Sequence, residues 1–499
     1  MNDVKRIAAA APTGCIGIVH LGLGAFHRAH QAVYLERYRQ RSGDGAWGVC
    51  SANLRGGVAL VDALRDAGCR YHVAEYADSD TVTLREIGVI EQALFTGRDL
   101  AGEWGRDLAS LLARMASPET RIVTLTVTEK GYFLSPAEGK LLRDDPLIAH
   151  DIDQPQAPRT APGILVEALA RRRSAGVPPF TVLCCDNMPN NGQRTRAAVV
   201  QLAACRDAEL AAWIEREVAF PCSMVDRIVP AMTAADFARL AELGVEDLNA
   251  VVGEDLNAVV GEAFSQWVVE DDFPLGRPDW EAEGVEMVAD VAPFETMKLR
   301  MLNGSHSLLA YLGALDDIET VFDAVSRDDL VALLRRYMLS EAEPTLTMPE
   351  GTDLVGYADS LLARFANDSL RHRLQQIAMD GSQKLPQRWL HGALARLEAG
   401  GEVPCTALGL AAWIRYTAGS NLHGNDHVVD DPMAGTFRLL HETHGENVEA
   451  LVPAFLELDA VVPPALAEHA GFTAAVVAAY CCLTTYGLAA ALARLDAPT

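Results

Sequence analysis

The 499 residues carry 68 acidic against 42 basic side chains, a formal net charge of −26, with 49% hydrophobic and 22% charged residues. That balance belongs to a folded globular chain rather than a disordered one, and the length calls for two large domains. No basic stripe offsets the charge, which excludes nucleic acid and anionic membrane surfaces as partners.

The opening MNDVKRIAAAAPTG has no apolar core of secretory-signal length. The ten cysteines, at 15, 50, 69, 184, 185, 205, 222, 405, 481 and 482, include no CxxC pair and no zinc-type grouping. They read as reduced thiols of a cytoplasmic protein.

Short apolar runs then alternate with amphipathic stretches: IGIVHLG, AHQAVYLERYRQR, WGVCSANL, VALVDALRDAG, RIVTLTVT, GILVEALARRRSAG, FTVLCCDN. Strand followed by helix, repeated, predicts a parallel sheet covered on both faces. Within it, IVHLGLGAFHRAH reads as a strand, a glycine turn and a helix start, with Gly22 and Gly24 where backbone must approach a pyrophosphate. The third glycine position is His27. His27 and His30 also form HxxH, but no carboxylate or third histidine accompanies them at ligand spacing, so no metal site is expected. The acid that reads the ribose should stand about 20 residues past the glycines. Asn53 and Arg55 occupy that region of CSANLRGGVALVD, and the first acid, Asp62, falls in the next helix. This leaves NAD and NADP both open, and Arg55 is suited to a 2′-phosphate.

EDLNAVVG at Glu246 to Gly253 recurs identically at Glu254 to Gly261. Two copies at a period of eight match no solenoid unit, so a local duplication in an exposed, tolerant segment is expected.

Near residue 290 the pattern changes to long helical stretches such as DDLVALLRRYMLSEA and LGLAAWIRYTAG. The expected fold is therefore α/β: a Rossmann-like, doubly wound parallel-sheet domain over 1–289 that binds the dinucleotide, then a mostly α-helical substrate and catalytic domain over 290–499. MKLRMLNGSHSLLAYLG, Met297 to Gly313, reads as a buried helix, yet it carries Lys298, Asn303 and His306. At about 100° per residue, Lys298 and His306 lie roughly 80° apart and Asn303 about 140° from the lysine, which still permits one broad face. Ala470 to Ala493 is charge-free and long enough to span a bilayer, but Thr473, Tyr480, Thr484, Thr485, Tyr486 and Gly487 dilute it. A helix packed on the core is expected there.

The segments IVHLGLGAFHRAHQ, LTVTEKGY, CDNMPNNG, FPCSMVDRIVP, QWVVEDDF, GRPDW, KLRMLNGSH and DGSQKLPQR, in this order over nearly the whole chain, resemble the polyol-specific long-chain dehydrogenases. This is the family of mannitol 2-dehydrogenase and D-mannonate oxidoreductase (fructuronate reductase). The resemblance implies an NAD-dependent oxidoreductase without metal. Its K-x4-N-x2-H pattern falls on Lys298, Asn303 and His306, and its other asparagine on Asn187.

Hydride transfer at a secondary alcohol carbon needs a base for the hydroxyl proton. Lys298 is implied as that base, since burial lowers a lysine from its free value of about 10.4. Asn187 and Asn303 are implied as donors to the developing alkoxide, each such donor being worth about 3 kcal/mol, and His306 as an orienting group. Glu295, one turn before Lys298, matches a proton relay, and Asp226 and Lys384 match substrate-binding positions. The implied cofactor stretch is Ile18, Val19, His20, Leu21, Gly22, Leu23, Gly24, Ala25, Phe26, His27, Arg28 and Ala29.

Lys130 of TEKGY, Arg300 of KLRMLNGSH and Gln376 depart from the mannitol-type pattern. Together with LRHR at Leu370 to Arg373 and KLPQR ending at Arg388, they match the fructuronate-reducing branch. Cationic groups such as Arg300 and Arg388 suit a uronate carboxylate. The implied reaction interconverts D-fructuronate and D-mannonate, and mannitol or arabinitol oxidation is the alternative. The implied partner is a small sugar acid, with no obligatory oligomer. One departure goes against the family: its usual CEPF reads GEAF, with Gly261 and Ala263, directly after the duplication.

Overall fold

Every residue of the IGIVHL run, Ile16–Leu21, is buried, as a strand covered on both faces requires. Alternate side chains enter different cores: Val19 and Leu21 join one apolar cluster and Ile18 another. A computed structural model of the chain describes residues 3–99, 101–135, 138–245, 258–369 and 371–495. It divides into two compact units, Met1–Ala292 and Pro293–Thr499.

In the first unit the described strands are β1 (Asp3–Ile7), β2 (Ile16–Leu21), β3 (Gly48–Asn53), β4 (Tyr71–Tyr76), β5 (Thr81–Ile87), β6 (Ile90–Phe95), β7 (Ile122–Leu125), β8 (Thr181–Cys184), β9 (Ser223–Asp226), β10 (Ala258–Glu262), β11 (Gln266–Glu270) and β12 (Glu286–Val288). The central sheet runs β6-β3-β2-β7-β8 with every pair parallel. Chain order reverses on either side of β2, which is the switch point where Rossmann sheets bind dinucleotides. The helix Ala161–Ala175 packs on Leu108–Ala116 and on Asn191–Arg206 to cover one face. Two smaller sheets, β1-β5-β4-β10 and β12-β11-β9, complete the unit.

The duplicated octapeptide is not confined to an exposed segment. Residues 246–257 lie outside the described residues, but the end of the second copy, Ala258 to Gly261, together with Glu262 forms β10, buried throughout and parallel to β4. Val259 and Val260 are apolar and β-branched, and pairing with β4 puts both in the interior. Glu262 fixes the strand end, its Oε1 accepting from the Ile228 N–H at 2.7 Å while Arg227 donates to its carbonyl.

The second unit is helical in its described residues. Gly304–Leu315 is nearly enclosed and packs against Pro404–Tyr416 and Leu374–Ile377. Ala470–Leu495 is the one described helix long and apolar enough to cross a membrane. It packs along Pro404–Tyr416, burying Phe472, Val476, Leu483 and Leu488, and kinks at Gly487. All ten cysteines are free.

Candidate active site

In the first unit, the chain leaves β2 through Gly22, whose φ of +113° suits glycine alone. A Cβ there would stand 2.1 Å from the Thr126 carbonyl oxygen. The turn is held by the Gly22 N–H donating to Ala52 O (2.8 Å), the Thr126 hydroxyl donating to Gly22 O (2.9 Å) and the Gly24 N–H donating to the same oxygen (2.7 Å). A Cβ on Gly24 would meet nothing within 4 Å, so open space lies over its backbone. This is the cradle a pyrophosphate needs, and the residues fit a dinucleotide.

Two cavities meet at this turn. One, of about 550 Å³, is lined by Gly22, Asn53, Arg55, Arg98, Trp104 and Phe133 among others. The other, of about 430 Å³, is lined by Gly24, Ala25, Phe26, Glu129, Asp186, Asn187 and others. Thr126 and Thr128 line both. The remaining residues of the implied cofactor stretch face inward. Ile18, Val19, Leu21, Leu23 and Ala29 belong to the core.

His20 is fully enclosed, with Nδ1 2.7 Å from the Thr124 hydroxyl and Nε2 2.9 Å from Gly22 O and from the Thr126 hydroxyl. It stacks on His27 with centroids 3.4 Å apart, and His27 Nε2 lies 3.1 Å from the Ser51 hydroxyl. Burial pushes the His20 pKa down to about 3, and burial together with the neighbouring His20 pushes His27 well below the ordinary histidine range. His30 Nε2 is 2.9 Å from Gln266 O, while Arg28 accepts the Tyr71 hydroxyl on its carbonyl. The HxxH histidines thus serve different neighbours. Among the described residues no group of three or more His, Cys, Asp or Glu is arranged to hold a metal.

Asn187 follows Asp186, which organises the floor between the cavities. The Asp186 carboxylate accepts the N–H groups of Val127 (3.0 Å) and Thr128 (2.9 Å) and the Tyr132 hydroxyl (2.6 Å). Burial raises its pKa. Asn191 ties the end of β8 to β9: its amide donates to Asp186 O and Ser223 O and accepts from the Ser223 N–H. Asp226 closes β9 and is 6% exposed. Lys130 is exposed.

In the second unit the straight α-helix expected over Met297 to Gly313 is interrupted. Ala292–Met297 is α-helical, Lys298–Asn303 is π-helical, and Gly304–Leu315 is α-helical again. A π-turn closes i to i+5 rather than i to i+4, so Lys298 and Asn303, five apart, come to the same side. His306, three residues further along an α-turn, follows on that side. The π-turn narrows the 140° separation expected from α geometry. Lys298 is only 6% exposed.

The altered ladder leaves backbone carbonyls for side-chain donors. The Tyr337 hydroxyl donates to Arg300 O (2.7 Å), Arg388 to Asn303 O (3.4 Å) and the Trp389 indole to Gly304 O (3.0 Å). Arg388 also donates to the Ser307 hydroxyl at 2.9 Å. Arg300 turns its guanidinium to Thr345 O at 2.8 Å. His306 lies 4.7 Å from the Phe365 ring and 5.9 Å from His372. Lys384 donates to Met379 O at 2.6 Å, and burial, followed by the nearby Arg388 charge, lowers its pKa. Glu295 sits one turn before Lys298. Gln376 lies in Leu374–Ile377.

Sequence reasoning missed Asp186 and Thr128, although both stand inside quoted motifs, CDNMPNNG and LTVTEKGY. It also missed Tyr337 and Trp389, which serve the π-segment, and Arg98, Trp104 and Arg159, which no motif marks.

Residues 16–282 match the Mannitol dehydrogenase Rossmann domain and residues 290–483 the Mannitol dehydrogenase C-terminal domain. The D-mannonate oxidoreductase of Escherichia coli (strain K12) is 47% identical over 468 residues, 93% of this chain and 92% of that one. The Pseudomonas fluorescens mannitol 2-dehydrogenase, solved as a ternary complex with NAD and D-mannitol, superposes with a TM-score of 0.77 at 35% identity, covering 99% of this chain and 96% of its own. A D-sorbitol dehydrogenase in substrate-free form superposes at 0.88 with 31% identity, over 98% and 97%. With both family domains matched in order over most of its length, the chain belongs to the mannitol dehydrogenase family of oxidoreductases.

Proposed function

We propose that this chain is an NAD-dependent fructuronate reductase, interconverting D-fructuronate and D-mannonate. The observation that carries this reading is the π-helical segment Lys298–Asn303, in which Lys298 is buried; its i to i+5 closure supports reading Lys298, Asn303 and His306 as one constellation. π-Segments inside α-helices frequently mark functional sites. The 47% identity to a D-mannonate oxidoreductase supports the choice of substrate. The ten free cysteines suit a reducing cytoplasm.

Gly22, Gly24 and Ala25 would hold NAD, which when bound would supply or accept the hydride. Lys298 takes the hydroxyl proton on oxidation and returns it on reduction, with Glu295 passing it to solvent. Asn187 and Asn303 donate N–H groups to the substrate oxygen as it gains charge. His306 orients the neighbouring hydroxyl, and Asp226, Lys384 and Arg388 hold the remaining oxygens. Arg300, Lys384 and Arg388 are the cations proposed for the carboxylate, and one Arg300 nitrogen also donates to Thr345 O. The reading assigns no metal.

Purified protein assayed with NADH should reduce D-fructuronate with a kcat/KM at least about a hundredfold above D-fructose, which is about 2.7 kcal/mol of transition-state stabilisation. A charge-assisted bond to the carboxylate, lost with fructose, supplies that difference. Equal or better turnover of fructose or mannitol would overturn the assignment. It would favour the mannitol 2-dehydrogenase or arabinitol reading, toward which the 35% identity to the P. fluorescens enzyme points.

A further inference from the structure

The larger cavity of the first unit has a charge pattern opposite to that of the protein. With 68 acidic against 42 basic side chains, an arginine here usually finds a carboxylate. Nearby, Arg65 pairs with Asp107 and Arg194 with Glu129. Yet Arg55, Arg98 and Arg159 line one cavity whose wall contains no Asp or Glu, and none of the three has an ion-pair partner among the described residues. The carboxylates that might have neutralised them are committed elsewhere. Asp99 accepts the Glu103 N–H, and Asp107 is held by Arg65 and by the Phe95 N–H.

The tertiary structure brings these arginines to one place. Arg55 follows β3 and Arg98 follows β6, and the two strand ends are joined by the Thr96 N–H donating to Asn53 O at 3.0 Å. Gly97 lies so close to the backbone of Leu54 and Arg55 that a Cβ would stand 2.8 Å from it. Trp104 bridges to Arg98 in the next turn, and the Arg159 guanidinium stacks over the Trp104 ring at 4.6 Å. At the end of β3, where a carboxylate would read the ribose diol and repel a 2′-phosphate, stands Asn53, with its amide donating to Gly56 O.

We propose that this cavity is an anion subsite for a phosphate on the adenosine ribose, so that the enzyme accepts 2′-phosphorylated dinucleotides alongside NAD. The proposal rests on the reading of the chain as a nicotinamide-dinucleotide enzyme. Arg55 is the leading contact, because it follows the strand that carries the ribose position and its side chain makes no hydrogen bond among the described residues. Arg98 and Arg159 supply the flanking charge, with planar guanidinium groups suited to phosphate.

Direct titration by fluorescence and calorimetry, without turnover, tests this. NADPH should bind the wild-type protein within about tenfold of NADH, and 2′,5′-ADP should bind at least about tenfold more tightly than 5′-ADP. Arg55→Ala and Arg55→Glu change an exposed side chain without hydrogen-bond or ion-pair partners among the described residues, so both should fold. They should weaken NADPH and 2′,5′-ADP by about tenfold or more and NADH by less than threefold. NADPH affinity should also fall more steeply than NADH affinity as salt rises. NADH binding with NADPH more than a hundredfold weaker would overturn the subsite and leave the NAD enzyme standing, as would equal losses of both cofactors in the variants. Binding of neither dinucleotide would overturn the dinucleotide reading and the subsite with it.

Discussion

The Asp186 carboxylate accepts the N–H of Thr128 at 2.9 Å and holds that residue at φ 65°, ψ 160°, a backbone region that is essentially glycine's own. Such a conformation costs about 1–3 kcal/mol and persists only when its surroundings over-determine it. Here the clamp is threefold, since Asp186 also takes the Val127 N–H and the Tyr132 hydroxyl. Thr128 lines both cavities of the dinucleotide cleft, so the strain lies where the wall must be fixed.

Thr128→Gly should therefore stabilise the first unit by about 1 kcal/mol, raising the melting temperature by about 2–4 °C. Asp186→Ala should destabilise it by about 2–4 kcal/mol, because it leaves the Val127 and Thr128 N–H groups without their acceptor and the Tyr132 hydroxyl with Cys184 Sγ alone. Thr128→Gly should recover part of that loss in the double variant. A Thr128→Gly protein that melts lower than wild type would show that the threonine is not strained.

Lys298→Ala should lower kcat by at least about a hundredfold while leaving NADH affinity nearly unchanged, because a positioned acid/base group contributes about 10² to 10⁴. A small primary amine in the buffer should restore part of the rate. Retention of more than about a tenth of wild-type turnover would remove Lys298 from the acid/base role.

The stacked histidines make stability sensitive to mild acid. His20 is held neutral by burial, with its pKa pushed down to about 3, whereas in the unfolded chain it titrates near its ordinary 6.5. Between those values the unfolded state binds more protons, so stability is full above about pH 6.5 and falls as pH drops toward 3. His27 and, less strongly, His372, His427 and His441 shift in the same direction, again chiefly by burial. Asp151, Asp186 and Glu341, raised by burial, act in the opposite sense. His20 alone should cost about 2 kcal/mol at pH 5 relative to pH 7.5. Urea denaturation at the two pH values measures the difference, and an unchanged midpoint would contradict it.

Deleting eight residues from the duplication gives the same protein whichever copy is removed, and the remaining AVVGE can still form β10. The change then shortens the chain between Val245 and β10, and connection length alone is worth about 0.6 kcal/mol per doubling. The melting temperature should move by less than about 3 °C. A fall of more than about 8 °C would show that both copies are packed. Val259→Asp in the shortened protein should by contrast prevent stable folding, since Val259 is fully buried and an unpaired carboxylate there is costly.

Much of the architecture was legible in local sequence because local physics dictates it. A strand buried on both faces must be an unbroken apolar run, as IGIVHL is, and a turn with φ near +113° requires a glycine, as Gly22 shows. The family resemblance singled out the helix that carries the K-x4-N-x2-H pattern, but not its geometry. Spacing assumes an α-helix, and the carbonyls of and next to the π-turn over Lys298–Asn303 are bonded by Tyr337, Arg388 and Trp389, which lie 34 to 91 residues further along the chain. For the same reason the sequence could not show that Arg300 turns to Thr345, that half of a repeat becomes a buried strand, or that Asp186 clamps Thr128. Nor could it show that Arg55, Arg98 and Arg159 gather around one cavity. Each depends on contacts between segments distant in sequence, and those contacts exist only once the sheet and helices have packed.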